Sequence, residues 1–268
     1  MGLRSELAKV WGVVAMLVVA ATPLRSFAAV NAPSYSAESI VNSATQTVHF
    51  LAPNTMATIY GSNLAFTTHV VTTGDVNRST LPTDLDGVTV YVAGRQANLF
   101  YVSPTQINLL IPYDLIAGPV SITVLRQALA GPTIKVQLTS TAPGLFPWVD
   151  NLAIAVHLDG SLLTAASPAK PGEIVILYAV GLGWTTPDTT SGRVPVSAAW
   201  IQARSQMRVL LNGVPLPTES LLYAGLAPGF VGLYQINLRL PTVLPHNPEI
   251  RLSIGAQMSP PSVLLATQ

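Results

Sequence analysis

The mature part of this chain repeats itself, and that repeat limits the fold more than any other feature. Residues 51–64 (LAPNTMATIYGSNL) run parallel to residues 169–182 (AKPGEIVILYAVGL), with Pro53, Tyr60 and Leu64 matching Pro171, Tyr178 and Leu182 at an offset of 118. Residues 88–94 (VTVYVAG) match 207–213 (MRVLLNG) at offset 119. Residues 106–112 (QINLLIP) match 235–241 (QINLRLP), and 120–124 match 249–253, both at offset 129. The order is kept and the offset grows, so the second unit carries insertions. The largest is the stretch from Ala224 to Tyr234, where the first unit has only Val102-Ser-Pro-Thr-Gln106. A boundary near residues 142–146 (APGLF) gives two units, 29–145 and 146–268, each large enough to bury its own core.

Each unit reads as β. Val88–Val92, Ile134–Leu138, 234–240 and Ile250–Ile254 alternate apolar with polar or small residues, the period of a half-buried antiparallel strand. Residues 99–102, 174–178 and 221–223 are continuous apolar runs, expected to be strands buried on both faces. Asn212-Gly213, between 209–211 and 214–216, is a two-residue hairpin signal because both turn positions require positive φ. Ala93-Gly94 takes the same place in the first unit. Beyond residue 30, Gly and Pro leave no twelve-residue window of helical periodicity. Six or seven short strands in about 110 residues point to an all-β chain of two tandem immunoglobulin-like sandwiches.

The first thirty residues read as an address. Arg4 and Lys9 precede an uncharged apolar run, 10–21, which Thr22-Pro23 ends; Ser26-Phe27-Ala28 then offers small residues around a cut. That is the plan of a secretory signal peptide, 1–28, and the run is short for a membrane span. An uncleaved segment would be the chain's one tie to a membrane. Cleavage removes Arg4, Lys9, Arg25 and Glu6, lowering Lys+Arg from 13 to 10 and Asp+Glu from 12 to 11, a net charge of −1. A chain with so few charges has no basic face for nucleic acid. The absence of Cys excludes disulfide scaffolds, thiolate metal sites and Cys nucleophiles. The expected location is periplasmic, cell-surface or secreted.

The sequence order resembles the IPT/TIG branch of immunoglobulin-like domains. The resemblance rests on Gly-Ser-Asn-Leu64, a strand with a Gly turn, Tyr101-Val-Ser-Pro-Thr-Gln-Ile-Asn108, a Pro and a Gly-led last strand. The mature chain is also similar to a C-terminal domain family of exported acidobacterial (Solibacter-type) proteins. That likeness is carried by 52–64, 81–87, 101–112, 142–146, 178–183 and 223–237. It implies an extracellular β module and brings no activity with it.

No catalytic constellation stands out. Ser167-Pro-Ala-Lys170 fits S-x-x-K, but Pro168 and Pro171-Gly172 place it in a loop rather than at a helix start. His49, His69, His157 and His246 lack metal-ligand spacing and read as loop residues. Asp84-Leu-Asp86-Gly87 and Asp159-Gly160 read as turns rather than calcium loops. No metal or other cofactor is expected, and no enzyme activity.

The repeated Gln-Ile-Asn sets Gln106 and Asn108, and Gln235 and Asn237, on one strand face. With Tyr101 and Tyr223 upstream they are candidate ligand contacts; their other reading is a role in the fold, which their recurrence favours. Phe230 and Tyr234, in the insertion, are candidates for binding or for packing between the units, with packing favoured. Trp148, Trp184 and Trp200 fit an apolar seam or an exposed patch. The leading expectation is a non-enzymatic interaction module whose candidate partners are an extracellular polysaccharide or a cell-envelope protein. The alternatives are a carbohydrate-binding module and a hydrolase with its site in an interdomain cleft.

Overall fold

The computed structural model describes residues 31–187 and 191–268; the expected signal segment, 1–28, lies outside them. Among the described residues the chain is all-β, with four three-residue 3-10 turns and no longer helix. No helix there is long and apolar enough to cross a membrane.

The N-terminal half builds two sheets. One has the order Ile40–Asn42, Met56–Tyr60, Gln106–Leu110, Asn98–Val102, His69–Val70. The other has the order Ile134–Leu138, Gly118–Arg126, Val88–Val92, Arg95–Gln96, with Leu129–Ala130 folded back on Gly118–Arg126. Their inner faces meet in one apolar cluster, Ile59, Leu99, Ile107 and Leu109 against Val88, Val90, Ile122 and Val136. That is a β-sandwich, and the alternating sequence pattern is its direct cause: Val88–Val92 is buried at every second residue.

The C-terminal half repeats the pairing. Gly144–Leu145, Ile174–Val180, Tyr234–Arg239, Leu221–Leu226, Ala199–Ile201 and Thr185–Thr186 form one sheet, with Ala155–Val156 also on Ile174–Val180. Val214–Pro215, Met207–Leu211, Ile250–Ile254 and Gln257–Met258 form the other. A second cluster lies between them, including Val175, Leu177, Ile236 and Leu238 opposite Val209, Leu211, Ile250 and Leu252. The correspondence reaches single bridges. Leu51 pairs in parallel with Leu138, and Ala169 pairs in parallel with Thr267, at the sequence offsets of 118 and 129. A register shift lies between Leu99 and Tyr101 and another between Leu221 and Tyr223, so Tyr101 faces Asn108 and Tyr223 faces Asn237.

Both expected hairpin turns form, with φ of 49° and 78° at Asn212 and Gly213, and 50° and 77° at Ala93 and Gly94. One expectation changes. Ile174–Val180 is not buried on both faces: Ile174, Ile176 and Tyr178 are half-buried, as is Leu222 in the run 221–223, because these alternate residues face away from the apolar cluster. Asn98–Val102 differs in the same way at Phe100 and Tyr101.

Candidate functional site

The insertion of the second half explains how the halves meet. It leaves the strand Leu221–Leu226, turns through Pro228 and Gly229, and returns at Tyr234. Val231 packs with Leu81 and Leu110 of the first half, flanked by Met56, Phe100 and Val194. Gly232 has φ of 68°, and a Cβ there would press on the Leu110 side chain, so this close approach needs glycine. Beside it, the loop around Thr80 pairs with residues 192–194: the Leu81 N–H donates to the Gly192 carbonyl at 2.9 Å and the Val194 N–H to the Ser79 carbonyl at 2.8 Å.

Tyr234 is fully buried. Its hydroxyl donates to the Gly183 carbonyl and accepts from Asn54 Nδ2 at 2.9 Å. Burial pushes this phenol far above its ordinary value. One side chain therefore joins the first half, through Asn54, to the segment that leads into Trp184.

Above this junction lies a cleft of about 500 Å³. Pro53, Ser140 and Thr141 contribute from the first half and the connecting segment; Trp184, Gln202, Gln206 and Gln257 contribute from the second. Among the described residues no Asp, Glu, Lys, Arg or His lines it. The Trp184 indole N–H donates to the Tyr113 carbonyl at 2.7 Å, which fixes the ring while leaving 44% of the residue exposed. Gln202 donates to the Thr185 carbonyl at 3.2 Å. The side-chain amides of Gln206 and Gln257 have no partner among the described residues. Gly255 also lines the cleft, and a Cβ there would stand 3.0 Å from Gln206 Oε1.

The eight candidate residues fall into three environments. Tyr234 and Tyr223 are both buried, Tyr234 against Asn54 of the first half and Tyr223 within the second half, so Tyr223 lines no open surface. Tyr223 donates its hydroxyl to the Leu226 carbonyl at 2.8 Å and meets Trp200 edge-on at 4.7 Å, with burial raising its pKa. Alternation held the signal for Tyr234: it shares the inward face with Ile236 and Leu238, opposite Gln235 and Asn237. Gln106, Asn108, Gln235, Asn237 and Tyr101 are half-buried on outer sheet faces. There each Gln donates to the Asn two residues on, at 2.8 Å in both halves, and Thr58 adds a donor to Asn108 at 3.1 Å. Within each motif the Gln amide is thus bonded to the Asn amide oxygen rather than to the backbone of the adjoining loop. Phe230 stands at the tip of the insertion, 59% exposed and outside the cleft. Trp148 is also exposed and away from the cleft, while Arg204 covers the Trp200 ring at 4.3 Å.

Two histidines gather acids that their spacing did not reveal. His69 bonds Asp86 at 3.0 Å through Nδ1 and Asp75 at 3.3 Å through Nε2. The Asp86 hydrogen bond, then that of Asp75, raises the imidazole pKa. In the second half, His157 Nδ1 meets Glu173 Oε1, while its Nε2 lies 3.2 Å from Ser167 Oγ. The atoms of a Ser–His–acid triad are thus present at a cleft of about 520 Å³ that Lys170 also lines. However, the same Nε2 lies 3.2 Å from the Ser167 carbonyl. A carboxylate at one nitrogen and a carbonyl at the other both call for N–H, and Glu173 accordingly raises the His157 pKa. This arrangement favours an imidazolium that clips two loops together, the opposite of a free general base.

Comparison with known proteins gives a partial family assignment. No curated protein matches the chain. Among solved structures, the full extracellular region of plexin A4, domains 1 to 8, is 11% identical over 88% of this chain and 18% of that one, at a TM-score of 0.28. The Bacteroides ovatus mixed-linkage glucan utilization locus SGBP-B, in complex with a mixed-linkage heptasaccharide, is 12% identical over 76% and 36%, at 0.30. Domains 5-6 of the S-layer protein SbsC are 9% identical over 88% and 99%, at 0.25. The chain spans less than a quarter of the plexin chain, and likenesses this distant carry no functional argument. Residues 40–146 match the IPT/TIG domain family, so the first sandwich is an IPT/TIG domain.

Proposed function

We propose that the chain is an exported, non-enzymatic binding module. It consists of two tandem immunoglobulin-like sandwiches, 29–145 and 146–268, behind a cleaved signal peptide, and acts at the cell surface or outside the cell. The likeness of the mature chain to exported acidobacterial modules belongs to this reading. One observation carries it. The ionisable clusters around His69 and His157 are spent on holding loops, whereas the junction of the halves presents an open cleft lined, among the described residues, by no ionisable side chain.

The test is retention of purified 29–268 on isolated cell envelopes and on insoluble polysaccharides. Retention on either, with no sugar or acid released, supports the proposal. Release of product, or retention on neither, contradicts it.

The Ser167–His157 contact favours a second reading, a serine hydrolase. It requires turnover of a nitrophenyl ester that Ser167→Ala abolishes. Equal background rates for the two proteins remove it.

A further inference from the structure

We infer that the junction cleft is a binding site for a neutral glycan, with the Trp184 ring as its stacking platform. This inference rests on the binding-module reading and names its ligand class.

The lining selects the chemistry. A charged ligand entering here meets no counter-charge among the described residues, since none of those lining the cleft is ionisable. A wholly apolar ligand would leave the Gln206 and Gln257 amides, which line the cleft, unmatched. A sugar ring satisfies both demands. Its C–H face packs on an indole, and its hydroxyls, each donor and acceptor, match amides that offer both functions. The volume, about 500 Å³, falls within the range of small-molecule sites, about 300–1,000 Å³.

The site is also held in advance. The Tyr113 carbonyl fixes the indole, and the preceding residue, Gly183, accepts from buried Tyr234. Asn54, beside the lining residue Pro53, anchors Tyr234 from the other half. Pre-ordering of this kind lowers the cost of binding. Gly255, with φ of 57°, lines the cleft beside Gln206, where a Cβ would stand 3.0 Å from Oε1.

The experiment is isothermal titration of 29–268 with cellohexaose, maltohexaose and xylohexaose, beside oligogalacturonate as the acidic control. The expected result is binding of at least one neutral oligosaccharide, with affinity unchanged between 50 mM and 500 mM NaCl. Trp184→Ala is expected to weaken it at least tenfold and Gln257→Ala about threefold. Phe230→Ala, outside the cleft, is expected to leave it unchanged. Gln257→Ala keeps the test valid if Trp184→Ala fails to fold, because Gln257 has no internal side-chain bond. Binding that survives both cleft substitutions, or preference for the acidic control, overturns the inference. So does failure of all three neutral sugars to bind; envelope retention would then leave the module reading standing without a glycan.

Discussion

The two halves share the pairing of their central strands and differ in how one matched pair of strands is connected. In the first half, Asn98–Val102 and Gln106–Leu110 are joined by a turn that satisfies itself. Ser103 Oγ accepts from the Gln106 N–H at 2.9 Å, and the Thr105 and Pro104 carbonyls accept from Gly61 and Leu64. In the second half, the connection between Leu221–Leu226 and Tyr234–Arg239 is longer, and its polar and apolar groups find partners in the other half. Thr105 and Tyr234 hold matching positions, just before the repeated Gln. One is a turn residue and the other is the bolt of the junction. The longer connection thus supplies contacts to the other half while the pairing of the two strands it joins is kept.

This contrast can be tested by substitution. The largest effect is expected at Tyr234→Ala, which empties a fully buried site and orphans Asn54; the cost is about 4 kcal/mol, a fall of about 10 °C in Tm by calorimetry. Thr105→Ala, its counterpart, is expected within about 0.5 kcal/mol of wild type. Gly232→Ala is next, at about 2 kcal/mol in urea unfolding, from positive φ and contact with Leu110. The hairpin Gly94→Ala has positive φ but nothing within 4 Å of a new Cβ, and should cost about half as much.

His157→Ala follows, at about 1 kcal/mol near pH 6. The raised His157 pKa gives stability that is full below the ordinary imidazole pKa and is lost as pH rises through the folded value. Burial pushes the Glu173 carboxyl up, but the Lys170 N–H and His157 together carry it below its ordinary value. Its contribution is therefore present above the ordinary carboxyl pKa and fails as pH falls through the folded one. The difference between wild type and His157→Ala should peak between these limits and shrink at pH 9. A difference independent of pH would remove the imidazolium clip. The smallest effects are expected at Gln106→Ala and Gln235→Ala, about 0.5 kcal/mol each, the smaller at Gln106 because Thr58 still donates to Asn108.

The sandwich architecture was legible because it is periodic. Alternation located Val88–Val92 and Ile250–Ile254, and the repeat offsets anticipated the matching bridges of Leu51 and Ala169. The cleft was not legible. Gln202, Gln206 and Gln257 come from a strand end, a 3-10 turn and a hairpin edge, and no repeat or spacing links them. His157, Ser167 and Glu173 converge for the same non-local reason, through loops that meet only when the sheet forms. Trp184 was singled out as a seam or patch residue, and it serves both roles: its N–H joins the halves and its ring lines the opening. Tyr234, a candidate for binding or for packing between the units with packing favoured, is turned inward by the same alternation that turns Gln235 outward.

Differential scanning calorimetry of residues 29–268 tests most directly whether the inserted loop fuses two sandwiches into one module. The expected result is a single endotherm whose van't Hoff and calorimetric enthalpies agree. Two resolved endotherms, or a van't Hoff enthalpy near half the calorimetric one, would mean that the sandwiches unfold separately and that the junction does not hold the cleft.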